Sequence, residues 1–208
     1  MSMSSRSILT GLIFTLLALS LPAALAPSAA EAVPLAVGAR TPAVIVQTVE
    51  GADLDLATAV AQKPTLLIFY RGSWCPYCNR HLAALAEIEP ELLKLGYQIL
   101  AVSPDEAPGL RAAADKNHLN YRLLSDRAML ASGAFGLAFR IDAATAEKYR
   151  GYKIDLPPVP GDPAARWLPV PAVYVIGRDG VVKFVHTDPD YKARLAPEAV
   201  LAAARAAL

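Results

Sequence analysis

Only two of the 208 residues are cysteine and only three are histidine. A framework of structural disulfides needs more cysteines at wider spacing, so this chain is not stapled in that way. A protein zinc site wants four ligands, and with no second cysteine pair only His81, near the thiols, is on hand. Haem attached through Cys-x-x-Cys-His is excluded, because Asn79 follows the second cysteine. An excess of one charge is also lacking: 20 basic and 19 acidic side chains leave a net +1. No basic field is present to hold nucleic acid. There is no glycine-rich phosphate loop either, since Gly133-Ala-Phe-Gly136 reads as a helix end. The expectation is therefore no metal, no cofactor and no nucleic-acid partner.

The N-terminus reads as a separate object. Arg6 supplies a positive charge, and Ile8 to Leu21 is an apolar run broken only by Thr10, Gly11, Thr15 and Ser20. Small residues dominate from there to Ala30. This is the pattern of a secretory signal peptide over residues 1–30, with Ser28 and Ala30 at the small-x-small positions before Glu31. A cut after Ala26 would place Pro27 first, which a signal peptidase is expected to disfavour. The alternative is an uncleaved membrane anchor, for which the run is short against the roughly 20 residues of a span. The expected location is outside the cytoplasm, in the periplasm. Residues 31–208 then have the size of one domain with a proper core.

An exported chain with a single close cysteine pair carries that pair for chemistry. Residues 71–81 read Arg-Gly-Ser-Trp-Cys-Pro-Tyr-Cys-Asn-Arg-His, between the apolar run Thr65 to Tyr70 and a long helical stripe. A strand, a tight turn and a helix opening with two thiols are implied. At a helix start, unpaired N–H groups and the macrodipole favour thiolate over thiol. Cys75 is therefore expected to be the nucleophile and the more exposed sulfur. Cys78, about one turn deeper on the same face, resolves by closing a disulfide. Pro76 presets the first helical turn and lacks an N–H that would have no partner there. Arg71 adds positive potential that tunes the thiol pKa. Trp74 shields the site and, with Pro76 and Tyr77, faces a substrate. His81 reads as a solvated helix residue, with tuning of the thiols as its alternative role, and an inert or static pair is the plainer alternative for the cysteines.

The rest of the chain supports an α/β fold. Ala43 to Val49 is β-rich, and Leu82, Leu85, Ile88, Leu92 and Leu95 mark a helix that Pro90 kinks or splits and Gly96 ends. Tyr97 to Val102 is a second buried strand. A helix follows over 107–118, then a strand over 121–124, and Ser125-Asp126 caps a helix over 127–135. Residues 140–168 look irregular, and Asp155-Leu-Pro-Pro-Val-Pro-Gly-Asp-Pro163 reads as a surface insertion that is neither helix nor interior strand. Ala172–Ile176 and Val181–His186 flank Gly177-Arg-Asp-Gly180 as a hairpin. Pro197 opens a last helix. The order predicts a central mixed sheet flanked by helices, with a Pro-rich insertion before the C-terminal hairpin.

Trp-Cys-Pro-Tyr-Cys after a buried strand, with a later Val-Pro, hairpin and helix, resembles the thioredoxin superfamily. More closely, Phe69 to Cys78, Pro171-Ala-Val-Tyr-Val-Ile176 and Tyr191-Lys-Ala-Arg194 resemble the peroxiredoxin-like branch of the alkyl hydroperoxide reductase and thiol-specific antioxidant family. The resemblance spans about residues 38 to 207 and implies a thioredoxin-like fold. It also implies that Pro171 takes the place of the cis-proline beside the dithiol and faces substrate. The family motif Pro-x-x-x-Thr-x-x-Cys is not met. With Cys78 as the peroxidatic sulfur, its Pro and Thr places hold Arg71 and Cys75; with Cys75, they hold Ile68 and Gly72. The remote arginine of the family falls at Pro171.

The leading expectation is a thiol–disulfide oxidoreductase with an antioxidant role, Cys75 attacking and Cys78 resolving. Its partners would be protein or small-molecule disulfides and thiols. The second is a thiol-dependent peroxidase that passes through a sulfenic acid, takes a hydroperoxide and is recharged by a thioredoxin-type reductant. The third is a non-catalytic thioredoxin-fold binding domain.

Overall fold

The computed structural model describes residues 25–208. Its elements in chain order are β1 (Ile45–Gln47), β2 (Asp53–Asp55), α1 (Leu56–Gln62), β3 (Thr65–Phe69), α2 (Pro76–Glu87), α3 (Glu89–Lys94), β4 (Gln98–Ser103), α4 (Ala107–Asn117) and β5 (Arg122–Ser125). Then come α5 (Leu130–Ala134), β6 (Ala138–Ile141), α6 (Ala143–Gly151), β7 (Pro158–Val159), β8 (Asp162–Pro169), β9 (Ala172–Ile176), β10 (Val182–Thr187) and α7 (Pro197–Ala206).

All five residues of β3 are buried, which is why its sequence is apolar without alternation. Leu66 and Ile68 pack into a core with α2, α3, α4 and α7, while Leu67 and Phe69 pack into a second core with α1 and α5. The sheet runs β10-β9-β3-β4-β5-β1-β2, so β3 lies near its middle. It pairs parallel to β4 and antiparallel to β9. This is the expected mixed sheet with helices on both faces. The long helix is split as Pro90 predicts, with α2 ending and α3 beginning at Ile88. The hairpin β9–β10 and the last helix also form as expected.

The insertion departs from its expected form. It folds into a sheet of order β6-β8-β7, with α6 packed on it through Ile141, Ala146, Leu156 and Leu168. Pro158 is accommodated because β7 is a two-residue edge strand, and Pro163, in the middle strand β8, falls where the register shifts between the pairs Val159–Asp162 and Pro158–Arg166. Sequence periodicity also left α1 and β2 unread, since a seven-residue helix gives under two turns of pattern.

Of the expected leader, residues 1–24 lie outside the described residues. Ala26 is buried and forms a parallel bridge with Phe139 of β6, with Ala26 N–H donating to Ala138 O at 3.1 Å and Arg140 N–H to Ala26 O at 2.8 Å. Leu25 to Ala30, which the sequence assigns to the leader, are thus seated on the insertion. Among the described residues, no helix is long and apolar enough to cross a membrane.

Candidate active site

β3 delivers the chain to the site and a short loop hands it to α2. Tyr70 N–H extends the ladder to Val102 O, and Cys75 N–H closes the loop onto Gly72 O at 3.1 Å. Gly72 has φ +143°, and a Cβ there would collide with the Trp74 indole and lie 3.0 Å from Asp105 Oδ1. Only glycine fits that bend. Asp105, on the β4–α4 link, accepts from Ser73 N–H at 2.6 Å and from Ser103 Oγ at 3.1 Å. Asn79 donates to Ser73 O at 2.7 Å and is itself held by Asn117 of α4 at 3.1 Å. The loop is pinned from two neighbouring elements.

Cys75 is the N-cap of α2, and its Sγ accepts from Cys78 N–H at 3.3 Å. The Cys78 thiol donates to the same sulfur at 2.7 Å. Those two donors are the helix-start arrangement that favours a thiolate. The Cys75 pKa is lowered to about 6, chiefly by the Cys78 thiol donor, then by its N–H and the nearby Arg71 and Arg194, against burial. Cys78 is pushed well above the ordinary thiol value by burial and by the sulfur it faces. The pair is therefore polarised into one anion and one proton donor.

The expectation that Cys75 is the more exposed sulfur is corrected: Cys75 is 0% and Cys78 1% exposed. Both sulfurs belong to the buried core, under a local cover that rings from distant segments back. Trp74 and Tyr77 pack on the core cluster that holds both sulfurs. The Arg71 guanidinium, itself buried, lies 4.0 Å from the Tyr191 ring centre, 5.0 Å from Trp74 and 5.7 Å from Tyr149. It also donates to the Tyr149 hydroxyl. Tyr149 comes from α6 of the insertion, and Tyr191 from the loop before α7. Arg71, Trp74 and Tyr77 are thus brought together around the dithiol, while Pro76 at the first turn of α2 is exposed.

Pro171 lines a small recess of about 10 Å³ with Cys78, His81, His186, Asp188 and Arg194. It is not a cis-proline, for no peptide bond among the described residues is cis. The chain passes Pro171 on its way from β8 directly into β9, with no tight turn there to require one. His81 is half-buried rather than solvated. Its Nε2 lies 3.2 Å from Leu195 O, and burial followed by the neighbouring Arg194 lowers its pKa to about 4. Among the described residues, no cluster of histidine, cysteine or carboxylate side chains suits a metal ion.

Arg194, Asp105, Tyr149 and Asn79 were not expected site residues. The sequence holds Arg194 within the tetrapeptide that carries the family resemblance, and Asn79 is a polar residue on the buried face of α2, which is a usable signal. Nothing in the sequence pairs Tyr149 with Arg71.

The AhpC/TSA family profile matches residues 37–185, well over half the chain. The chain belongs to the AhpC/TSA family. A putative peroxiredoxin Bcp from Haemophilus influenzae is 31% identical over 104 residues, which are 50% of this chain and 66% of that one. A chloroplastic peroxiredoxin Q from Suaeda salsa is 24% identical over 151 residues, 73% of this chain and 59% of that one. The matches thus reach somewhat less than two thirds of those relatives' lengths. Reduced Prx3 from Vibrio vulnificus in complex with H2O2 superposes with a TM-score of 0.65 at 19% identity, over 82% of this chain and 99% of that one. That likeness concerns the fold, which is thioredoxin-like.

Proposed function

We propose that this protein is a thiol-dependent peroxidase in which Cys75 takes the oxidising hit and Cys78 closes an intramolecular disulfide. The observation that carries the reading is the Cys75 sulfur held 2.7 Å from a thiol donor at the start of α2. Both disulfide exchange and peroxide reduction begin with that thiolate. The enclosure favours the smaller oxidant. A protein disulfide meets sulfurs that are 0–1% exposed, whereas the two reacting atoms of a peroxide need little room. Family membership and the peroxiredoxin names of the relatives support the same choice. So does the fold shared with a protein whose structure holds H2O2.

Cys75–S⁻ attacks the terminal peroxide oxygen, the O–O bond breaks, and the alkoxide or hydroxide leaves and takes up a proton. Cys78 then attacks the sulfenic sulfur, and the hydroxyl leaves as water with the proton of the Cys78 thiol. An external dithiol of thioredoxin type reduces the disulfide by exchange, which requires the aromatic cover to open. Rapid mixing of reduced protein with hydroperoxide, followed by mass analysis, tests this. Disulfide formation far faster than oxidation of a free thiol is expected, and a rate equal to that of a free thiol would remove the peroxidase.

We also propose that the chain is exported, on the strength of its charged start, short apolar run and small residues before Glu31. Cell fractionation tests it, and recovery only from the cytoplasm would overturn it.

A further inference from the structure

The second step poses a problem that the Cys75 environment does not solve. Cys78 must give up its proton while only 1% exposed. In the reduced site, Cys75 is the anion and Cys78 its donor. Once Cys75 is a sulfenic acid its charge is gone, and Cys78 must become the nucleophile in the same enclosed place.

Among the described residues, one cation touches that sulfur. Arg194 Nη2 lies 3.5 Å from Cys78 Sγ, and its Nη1 is anchored on Ala193 O at 2.7 Å. Arg194 has no carboxylate within ion-pairing distance among the described residues, so its charge is not spent elsewhere. The remaining groups near Cys78 offer less. On α2 they are Cys75 and His81, the latter kept neutral near pH 7 by burial. At the end of β3 are Tyr70, whose hydroxyl is deeply buried and held protonated, and Arg71, which is engaged with three rings and Tyr149. The β10 side contributes His186 and Asp188, which line the recess with Arg194. An aspartate would oppose a thiolate; the Arg71 backbone N–H favours one, and among the side chains the Arg194 guanidinium is the group that does.

We propose that Arg194 is a catalytic residue for resolution: it stabilises the Cys78 thiolate formed as Cys78 passes its proton to the departing sulfenic hydroxyl and attacks the oxidised Cys75 sulfur. This rests on the peroxidase reading only in the identity of the oxidant, because Cys78 would resolve a mixed disulfide on Cys75 in the same way. In that case Cys78–S⁻ attacks Cys75 Sγ, the bond to the partner sulfur breaks, and the partner thiolate leaves with the electron pair.

Single-turnover oxidation of Arg194→Met and Arg194→Lys tests the proposal. Dimedone labels the sulfenic acid, and mass analysis follows the disulfide across a pH series. In Arg194→Met the sulfenic acid should accumulate, with disulfide closure slowed on the order of 10- to 100-fold at neutral pH, as loss of an opposite charge at this range implies. The deficit should shrink as pH rises and ionises Cys78 without help. Arg194→Lys should recover most of the rate. Closure by Arg194→Met at the wild-type rate overturns the proposal. So does a deficit that is the same at every pH and that lysine does not repair. A parallel arm uses Ellman's reagent, whose mixed disulfide on Cys75 is resolved by Cys78 with release of a coloured thiolate. If the wild-type protein ignores hydroperoxide, the peroxidase reading fails while this arm still decides the role of Arg194.

Discussion

Arg71 and Arg194 approach the dithiol from opposite directions in the chain and are held in contrasting ways. Arg71 leaves the end of β3, is buried, and is wrapped by Trp74, Tyr149 and Tyr191. Arg194 reaches Cys78 across 116 residues of sequence, is half-buried, and meets the sulfur directly. The first guanidinium is part of a wall that depends on α6 and on the loop before α7. The second is a side chain in direct contact with Cys78, though its charge also favours the Cys75 thiolate. The pairing of a shared cover with a private contact suggests that the two charges act on different steps. Arg71 would govern whether Cys75 is ready, and Arg194 whether Cys78 can follow.

The sharpest way to break that division is to exchange the sulfurs. Cys75→Ser should abolish peroxide consumption, whereas Cys78→Ser should react once and stop as a sulfenic acid that dimedone captures. The reverse outcome, with sulfenic acid formed only in Cys75→Ser, would make Cys78 the first attacker and interchange the roles of the two arginines.

Gly72→Ala attacks the cover without touching a charge. Its φ of +143° is strained for any L side chain, and the added Cβ meets the Trp74 indole. The expected cost is about 1–3 kcal/mol of stability. Trp74 should also be displaced and Cys75 alkylated faster by a bulky reagent. An unchanged melting midpoint and an unchanged alkylation rate would show that the wall is not built on this bend.

Arg71→Met should act through pH. Cys75 reacts as the thiolate, so the wild-type rate is low below its pKa of about 6, rises through it and levels above. Removing a nearby positive charge disfavours the anion and moves that midpoint upward. At pH 6 the variant should be slower by roughly 10-fold, converging with wild type in alkaline solution. Initial rates of iodoacetamide alkylation measure this directly. A midpoint that does not move would confine Arg71 to packing.

Much of this comparison was legible in sequence on one side and not on the other. β3, the start of α2, the Pro90 split and the β9–β10 hairpin follow from apolar runs, a proline and an Asp-Gly turn, all of which act locally. Arg71, Trp74 and Tyr77 stand beside the cysteines in sequence and could hardly be elsewhere in space. The burial of Cys75 was not legible, because Cys75 sits in a core built from β3, β4, β9 and four helices, and the rings that back its cover, Tyr149 and Tyr191, come from far along the chain. The insertion misled for a related reason. Its prolines argue against an interior strand, yet Pro163 lies in the middle strand β8 at a register shift and Pro158 in a short edge strand. Asp105 was visible only as a residue between a strand and a helix, and its grip on Ser73 spans 32 residues.

The smallest effect probes how far the cover leans on the insertion. Ala26 adds two backbone hydrogen bonds to β6, and Pro27, Ser28 and Ala29 line a cavity of about 340 Å³ with Arg71, Tyr149 and Tyr191. Each bond contributes about 0.5–1.5 kcal/mol net, and ordering a terminal segment costs much of that back. A protein beginning at Glu31 should therefore lose only about 1 kcal/mol relative to one beginning at Leu25. The informative readout is local: with the β6 edge uncovered, α6 should exchange its amide hydrogens faster and Cys75 should alkylate slightly faster through the loosened Tyr149 contact. N-terminal sequencing of the protein from cells bears on the same segment, because a cut at Ala30 removes the docked residues and a cut upstream of Leu25 keeps them. If the two forms match in exchange and in alkylation, the cover is held by Trp74, Tyr77 and Tyr191 alone, and the insertion contributes Tyr149 without support from the segment before it.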